Sequence, residues 1–251
     1  MAARCTMEID AGTALVELDS PENANALSPE LVAELSGHLA SAETDERVRV
    51  VVLASKGRVF CSGLDLKAPR PDGPLSGVAL PELLAQILEL SKPVVAAVDG
   101  AARGGGLGLV AAADIALATS KAHFAFSEVR LGVTPAIIAT VCARRMTPRS
   151  LSRYMLTGEV FGAEAAAACG LVTLSVGDDL ESRLSEVRAA FGLAEPGAVA
   201  STKRLLAAVP GMGLREGFEF TGLLSERAFS SPAAAEGMRA FAEHRPPSWS
   251  R

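Results

Sequence analysis

The stretch Lys92-Pro-Val-Val-Ala-Ala-Val-Asp-Gly-Ala-Ala-Arg-Gly-Gly-Gly-Leu-Gly-Leu109 runs from a valine-rich segment through three consecutive glycines into a helix-like segment. Val94 to Val98 is apolar at every position, the pattern of a strand buried on both faces. Gly106 to Ala113 reads as a helix. A strand that turns on glycines into a helix leaves the first N–H groups of that helix without intrahelical acceptors, aimed at an anion or a developing negative charge. The same letters fit a dinucleotide fingerprint, Gly106-x-Gly108-x-x-Ala111. That alternative needs an acidic residue closing the next strand. Ile115 to Thr119 closes on Thr119-Ser120, and Glu128, twenty residues past Gly108, follows a second strand-like segment.

On either side the chain alternates strands and helices. Val48 to Ala54 is another buried strand, ended by Ser55-Lys56-Gly57, and Thr13 to Leu18 alternates apolar and polar residues until Ser20-Pro21-Glu22-Asn23 breaks it. Ser28-Pro29-Glu30 opens a helix, with Ser28 as N-cap, Pro29 at its first position and Leu31 and Leu35 facing inward. Residues 68–77 hold three Pro and two Gly and read as a mobile loop before a helix from Leu80 to Leu90. His123 to Phe126 is a short strand. After Leu171 to Leu174 strand signals stop, and residues 179–244 read as amphipathic helices broken at Pro196-Gly197, Pro210-Gly211 and Ser231-Pro232. The order predicts an α/β fold of strand-strand-helix units with a helical C-terminal part. No fixed-period repeat is visible in the letters.

The bulk properties narrow the function. A chain of 251 residues with 49% apolar and 21% charged residues can bury one large core. A net charge of −5 and 4% aromatics supply neither a basic footprint for nucleic acid or an anionic membrane nor a platform for stacking bases. Cys5, Cys61, Cys142 and Cys169 form no C-x-x-C pair, which predicts free thiols in a reducing compartment, no metal site and a cytoplasmic protein. Met1 to Asp10 has no apolar signal-peptide core, and no stretch is apolar enough to span a membrane.

Two further segments carry chemistry. Phe60-Cys-Ser-Gly-Leu-Asp-Leu66 places Gly63 after an apolar run, where a sharp turn exposes the next N–H groups. Ala122-His-Phe-Ala-Phe-Ser-Glu-Val-Arg-Leu-Gly-Val-Thr-Pro135 sets Glu128 at the end of an apolar strand, before turn-forming Gly132 and Pro135. Alone, each has an ordinary explanation, a plain loop or a surface glutamate paired with Arg130. Their order is that of the crotonase (enoyl-CoA hydratase/isomerase) superfamily: a Ser-Gly-Leu-Asp turn, then a Gly-Gly-Gly helix start, then a glutamate. The resemblance spans nearly the whole chain, from Asn23-Ala-Asn-Ala-Leu27 through Leu156-Thr-Gly158 and Gly170-Leu-Val172 to the tail Glu236-Gly-Met-Arg-Ala-Phe-Ala-Glu-His-Arg245.

The resemblance implies a spiral of strand-strand-helix turns over residues 1–190, carrying the active site, and a helical trimerisation region over 191–251, giving a homotrimer or hexamer. It implies an acyl-CoA thioester substrate, with coenzyme A part of the substrate and no other cofactor. Leu64 and Gly105 match the two backbone N–H donors of an oxyanion hole, and Glu128 matches the later of two family glutamates. Gly108 stands where the first glutamate would be, so Glu128 has no carboxylate partner there. Ser62, Asp65, Leu66, Lys67, Gly108 and Pro135 fall at substrate-lining positions, Lys67 beside the coenzyme A phosphates or adenine. The segment Ser127 to Ile138 is similar to bacterial methylglutaconyl-CoA hydratases, which implies hydration or dehydration of a short acyl thioester with a 3-methyl branch. Double-bond isomerisation, dehydration on an acyl carrier protein and non-catalytic acyl-CoA binding are the alternatives. Arg103 or Arg130 would meet a distal carboxylate in such a substrate, against surface pairing as the ordinary role. His38, His123 and His244 show no ligand or triad spacing, Cys61 reads as a small buried side chain, and Ser62-Gly63 alone makes no nucleophile elbow.

Overall fold

The computed structural model describes residues 4–67 and 78–250, so the loop expected over 68–77 lies outside the described residues. The chain runs β1 (Cys5–Asp10), β2 (Thr13–Leu18), α1 (Pro29–Thr44), β3 (Val50–Ser55), β4 (Val59–Cys61), α2 (Leu80–Glu89), β5 (Val94–Val98), β6 (Ala101–Arg103) and α3 (Gly105–Ala112). It continues through β7 (Ile115–Ala118), β8 (His123–Ala125), α4 (Ala136–Cys142), α5 (Pro148–Thr157), β9 (Phe161–Gly162), α6 (Ala163–Cys169) and β10 (Leu174–Ser175). Four helices close it: α7 (Leu180–Leu193), α8 (Pro196–Ala208), α9 (Leu214–Phe229) and α10 (Pro232–Ala242).

The strands sort into two sheets. One has the order β1-β2-β3-β5-β7-β10 and the other β4-β6-β8-β9. Each strand-strand unit splits: β3, β5 and β7 enter the larger sheet while β4, β6 and β8 enter the smaller one. Only β1 with β2 and β8 with β9 pair antiparallel; the remaining pairs are parallel. These are the strand-strand-helix units that the sequence pattern predicts, wound into the spiral that the resemblance implies. The two-sided burial read from the valine runs also holds. Val51, Leu53, Val94, Ala96 and Val98 enter the main core, whereas Val50, Val52, Val95 and Ala97 pack on the opposite face with Leu117 and Leu184 of α7. A sheet covered on both faces has no use for alternating polarity.

Local chemistry explains the helix starts. Ser28 accepts the Leu31 N–H at 3.2 Å with Pro29 behind it, and Leu31 and Leu35 are buried. Ser231 caps α10 in the same way, accepting the Ala234 N–H at 3.1 Å. β1 is an element the sequence reading passes over. Its residues are mostly part-exposed, so no apolar run marks it, and it is held as an edge strand by β2 and by Glu34, which accepts the Arg4 and Cys5 N–H groups. The helix α7 runs through the 190/191 boundary expected from the resemblance.

An ion pair between buried Lys203 and half-buried Asp114 fastens α8 to the spiral. Lys203 Nζ lies 2.7 Å from Asp114 Oδ2 and donates to the carbonyls of Ile87, 3.0 Å, and Lys92, 3.2 Å. Asp114 also accepts the Val94 N–H at 2.8 Å, so one carboxylate links the start of β5, the start of β7 and α8. Removing one member of such a pair leaves the other charge and two carbonyls unpaired, which costs about 3 kcal/mol. Lys203→Met is expected to lower the urea unfolding midpoint accordingly; a midpoint equal to wild type would show that the pair contributes nothing.

Candidate active site

The site forms where the smaller sheet ends. Asn25, buried and in the left-handed region (φ 50°), donates to the carbonyls of Lys56, 3.0 Å, and Val59, 2.7 Å, and accepts the Ser20 N–H at 2.8 Å. It rivets loop 20–27 onto the segment leading to β4. Ser62 N–H then donates to Ala24 O at 3.1 Å, Leu27 N–H to Gly63 O at 2.8 Å, and Asp65 N–H to Leu27 O at 3.3 Å. In that parallel bridge the carbonyl before Leu64 and the N–H after it face Leu27, which turns the N–H of Leu64 itself to the other side. Sequence reasoning missed Asn25; the signal available was an Asn-Ala-Asn run after a strand-breaking proline.

Gly105 opens α3, so its N–H is one of the orphan donors of a helix start. The two turns abut. A Cβ at Gly63 (φ 90°) would lie 3.3 Å from the Gly105 N and 3.0 Å from Arg103 O. A Cβ at Gly105 would lie 2.7 Å from Leu27 Cδ1 and 3.3 Å from Leu80 Cδ2. At Gly63 the positive φ and the close approach both require glycine, and at Gly105 the close approach does.

Glu128 departs from its expected place. It sits not at the end of a strand but in a 3₁₀ turn, Ser127–Leu131, that begins two residues after β8 and is closed by Gly132 in the left-handed region. A turn tightens the chain and swings the carboxyl back toward β6: Glu128 Oε1 is 3.1 Å from where a Cβ on Gly104 (φ 47°) would be. Its Oε2 is buried and has no hydrogen-bond partner among the described residues. Burial therefore pushes the Glu128 carboxyl above the ordinary carboxylate range.

The remaining expected positions fall in different places. Asp65 serves the turn itself, accepting Asn23 Nδ2 and the Lys67 N–H, each at 3.0 Å. Leu66 and Lys67 are exposed beside it. Pro135 is buried as the residue preceding α4. Gly108 is buried, and a Cβ there would lie 2.8 Å from Ile138 Cγ2 and 3.3 Å from Leu84 Cδ1. Arg103 points its guanidinium back along the strands, donating to Ala102 O, 3.1 Å, and His123 O, 2.8 Å, and Arg130 reaches Thr157 O at 3.3 Å. The Cys61 thiol is fully buried and pushed up to about 12 by that burial, which makes it inert. His38 is engaged with Cys5 O and His123 with Lys121 O. Among the described residues no cluster of His, Cys, Asp or Glu can hold a metal, and no helix is long and apolar enough to cross a membrane.

Two N–H groups at abutting turns, beside a half-buried carboxyl whose Oε2 has no partner among the described residues, can stabilise negative charge growing on a carbonyl oxygen while a proton moves at the neighbouring carbon. That combination is suited to acyl-transforming chemistry at a carbonyl compound. The comparisons specify it. The family model Enoyl-CoA hydratase/isomerase matches residues 8–251. The (E)-benzylidenesuccinyl-CoA hydratase of Thauera aromatica is 32% identical over 250 residues, covering 97% of this chain and 98% of that one. The carnitinyl-CoA dehydratase of Proteus mirabilis is 32% identical over 245 residues, covering 92% of each. The crystal structure of an enoyl-CoA hydratase/isomerase from Marinobacter aquaeolei superposes with a TM-score of 0.92 at 30% identity over 100% of both chains. This chain belongs to the enoyl-CoA hydratase/isomerase family and has the crotonase fold.

The raised Glu128 carboxyl has a consequence for stability. Its folded value exceeds the unfolded one, so the folded state holds the proton more tightly and stability falls as pH rises from about 4.5 through the folded value. Glu128→Gln removes the buried charge. The variant should unfold at a higher temperature than wild type at neutral pH and converge with it below the ordinary carboxyl value. A variant less stable than wild type at neutral pH would contradict the burial argument.

Proposed function

We propose that this chain hydrates an enoyl-CoA, or dehydrates the corresponding hydroxyacyl-CoA, with Glu128 as its single acid/base and the Leu64 and Gly105 N–H groups as its oxyanion hole. The observation that carries this reading is the Glu128 carboxyl set against Gly104, at the turn into α3, with its Oε2 buried and without a partner among the described residues. Hydration proceeds as follows. Glu128 takes a proton from water as the hydroxyl adds to the β-carbon, and the electrons of the double bond move onto the thioester oxygen between the two N–H donors. The proton on Glu128 then goes to the α-carbon as the enolate collapses. One carboxyl performs both transfers because the proton it gives is the proton it took. A carboxyl raised by burial suits this, since it must hold the proton between the steps.

The names of the hydratase and dehydratase relatives support water addition or loss on CoA thioesters. The resemblance of Ser127 to Ile138 to methylglutaconyl-CoA hydratases favours a short acyl group with at most a methyl branch on the β-carbon. Ser62, Leu66 and Lys67 would border the coenzyme A, with Asp65 holding their turn. Residues 191–251 would form the contacts of a homotrimer: α9 buries none of its residues, and Leu214, Phe218, Leu223 and Phe229 on it are exposed, as is Phe241 of α10. Such faces call for a partner. Isomerisation is the second reading, favoured by the absence of a carboxylate at Gly108, because a shuttle between two carbons needs one acid/base.

A panel of enoyl-CoAs including 3-methylglutaconyl-CoA separates these readings. Hydration removes the absorbance of the conjugated double bond, whereas isomerisation of a 3-enoyl substrate creates it. Glu128→Gln is expected to lower kcat by about 10³-fold, and Gly63→Ala, which forces a Cβ between the two turns, by about 10²-fold. A Glu128→Gln variant with wild-type turnover would overturn the mechanism.

A further inference from the structure

Ile138 and Leu84 occupy the space that a side chain at position 108 would need. A Cβ at Gly108 would come within 2.8 Å of Ile138 Cγ2, closer than real Cβ contacts allow, so a side chain at 108 requires Ile138 to shift, and it would lie 3.3 and 3.5 Å from the two Leu84 methyls. Both leucine and isoleucine are buried. The missing side chain therefore leaves no vacancy for water or for a substrate branch; a methyl group of α4 fills it. The same character extends along the first turn of α3. Gly105 is flanked by Leu27 and Leu80, and Gly108 by Leu84 and Ile138, so at these two positions α3 faces apolar side chains. Ile138 is joined to Glu128 by the short segment between the 3₁₀ turn and α4, so the residue carrying the carboxyl and the residue filling position 108 belong to one compact piece of chain.

We propose that Ile138 is a specificity-determining residue of this site: it closes the side of the acyl pocket beneath Gly108, leaves no room on that side for a β-carbon branch larger than a methyl group, and makes position 108 unable to carry a carboxylate unless it is itself shortened. This inference rests on the reading of the site as an acyl-CoA pocket worked by Glu128. An apolar pocket discriminates one methylene by about 10-fold or more, so shortening Ile138 shifts selectivity as well as rate. A residue that only supported the fold would lower activity toward every substrate alike.

The test uses wild type, Ile138→Ala, Gly108→Ala, the double variant and Glu128→Gln, each as the full chain. Crotonyl-CoA, 3-methylcrotonyl-CoA and the 3-ethyl homologue are measured for turnover and, by calorimetry, for binding. Ile138→Ala is expected to raise the ratio of 3-ethyl to crotonyl substrate about 10-fold in kcat/KM or in binding. Gly108→Ala is expected to unfold at lower temperature than wild type and to bind the thioesters at least 10-fold more weakly, with both losses relieved in the Ile138→Ala background. Equal losses for all three substrates in Ile138→Ala, or losses at 108 and 138 that simply add, would overturn the proposal. Glu128→Gln distinguishes the two levels: if it turns over like wild type, the acid/base reading fails, while the binding ratios and the coupling of 108 with 138 still decide the role of Ile138.

Discussion

Gly63 and Gly105 approach so closely that a Cβ on the first would crowd the nitrogen of the second, at 3.3 Å, and the rest of the structure is arranged around that approach. Two chain segments of distant sequence must each turn at the same point, one leaving β4 and the other leaving β6. The parallel pairing of β4 with β6 brings their ends together, and the Leu27–Leu64 bridge and Asn25 hold the first turn while the start of α3 defines the second. Backbone donors fixed in this way need no reorganisation when charge develops opposite them, which is the origin of their catalytic value.

The spiral explains why three short motifs far apart in sequence converge. Successive units deliver β4, β6 and β8 side by side to the smaller sheet, and each of these strands is followed by a turn of the candidate site: Gly63–Leu64, Gly104–Gly105 and the 3₁₀ turn of Glu128. The larger sheet, buried on both faces, is the rigid floor. The site accepts an unfavourable group in return, since Glu128 Oε2 is buried with no partner among the described residues. Strain and unsatisfied polarity of this kind collect at functional sites, where the surrounding fold holds them in place.

Much of this was legible in the letters because it is local chemistry. The Ser28-Pro29 helix start, the two-sided valine strands and the glycine turn into α3 each follow from neighbours in sequence. The less legible parts depend on distant contacts. Ser-Glu-Val-Arg-Leu follows a strand without any breaking residue until Gly132, so the 3₁₀ turn that aims Glu128 at Gly104 left no mark. Asn25 is one asparagine among polar loop residues until its three hydrogen bonds across 5 to 34 residues are seen. At Gly108 the absence of a carboxylate is visible in sequence, but Ile138 filling the space is a fact of packing.

Under the proposed mechanism the two N–H donors and Glu128 together form an enolate at a thioester. Exchange of the α-protons of a saturated acyl-CoA in deuterated water, followed by proton NMR, reads that step without water addition. The account predicts exchange by wild type and its loss, by about 10³-fold, in Glu128→Gln. Exchange by that variant at the wild-type rate would contradict it.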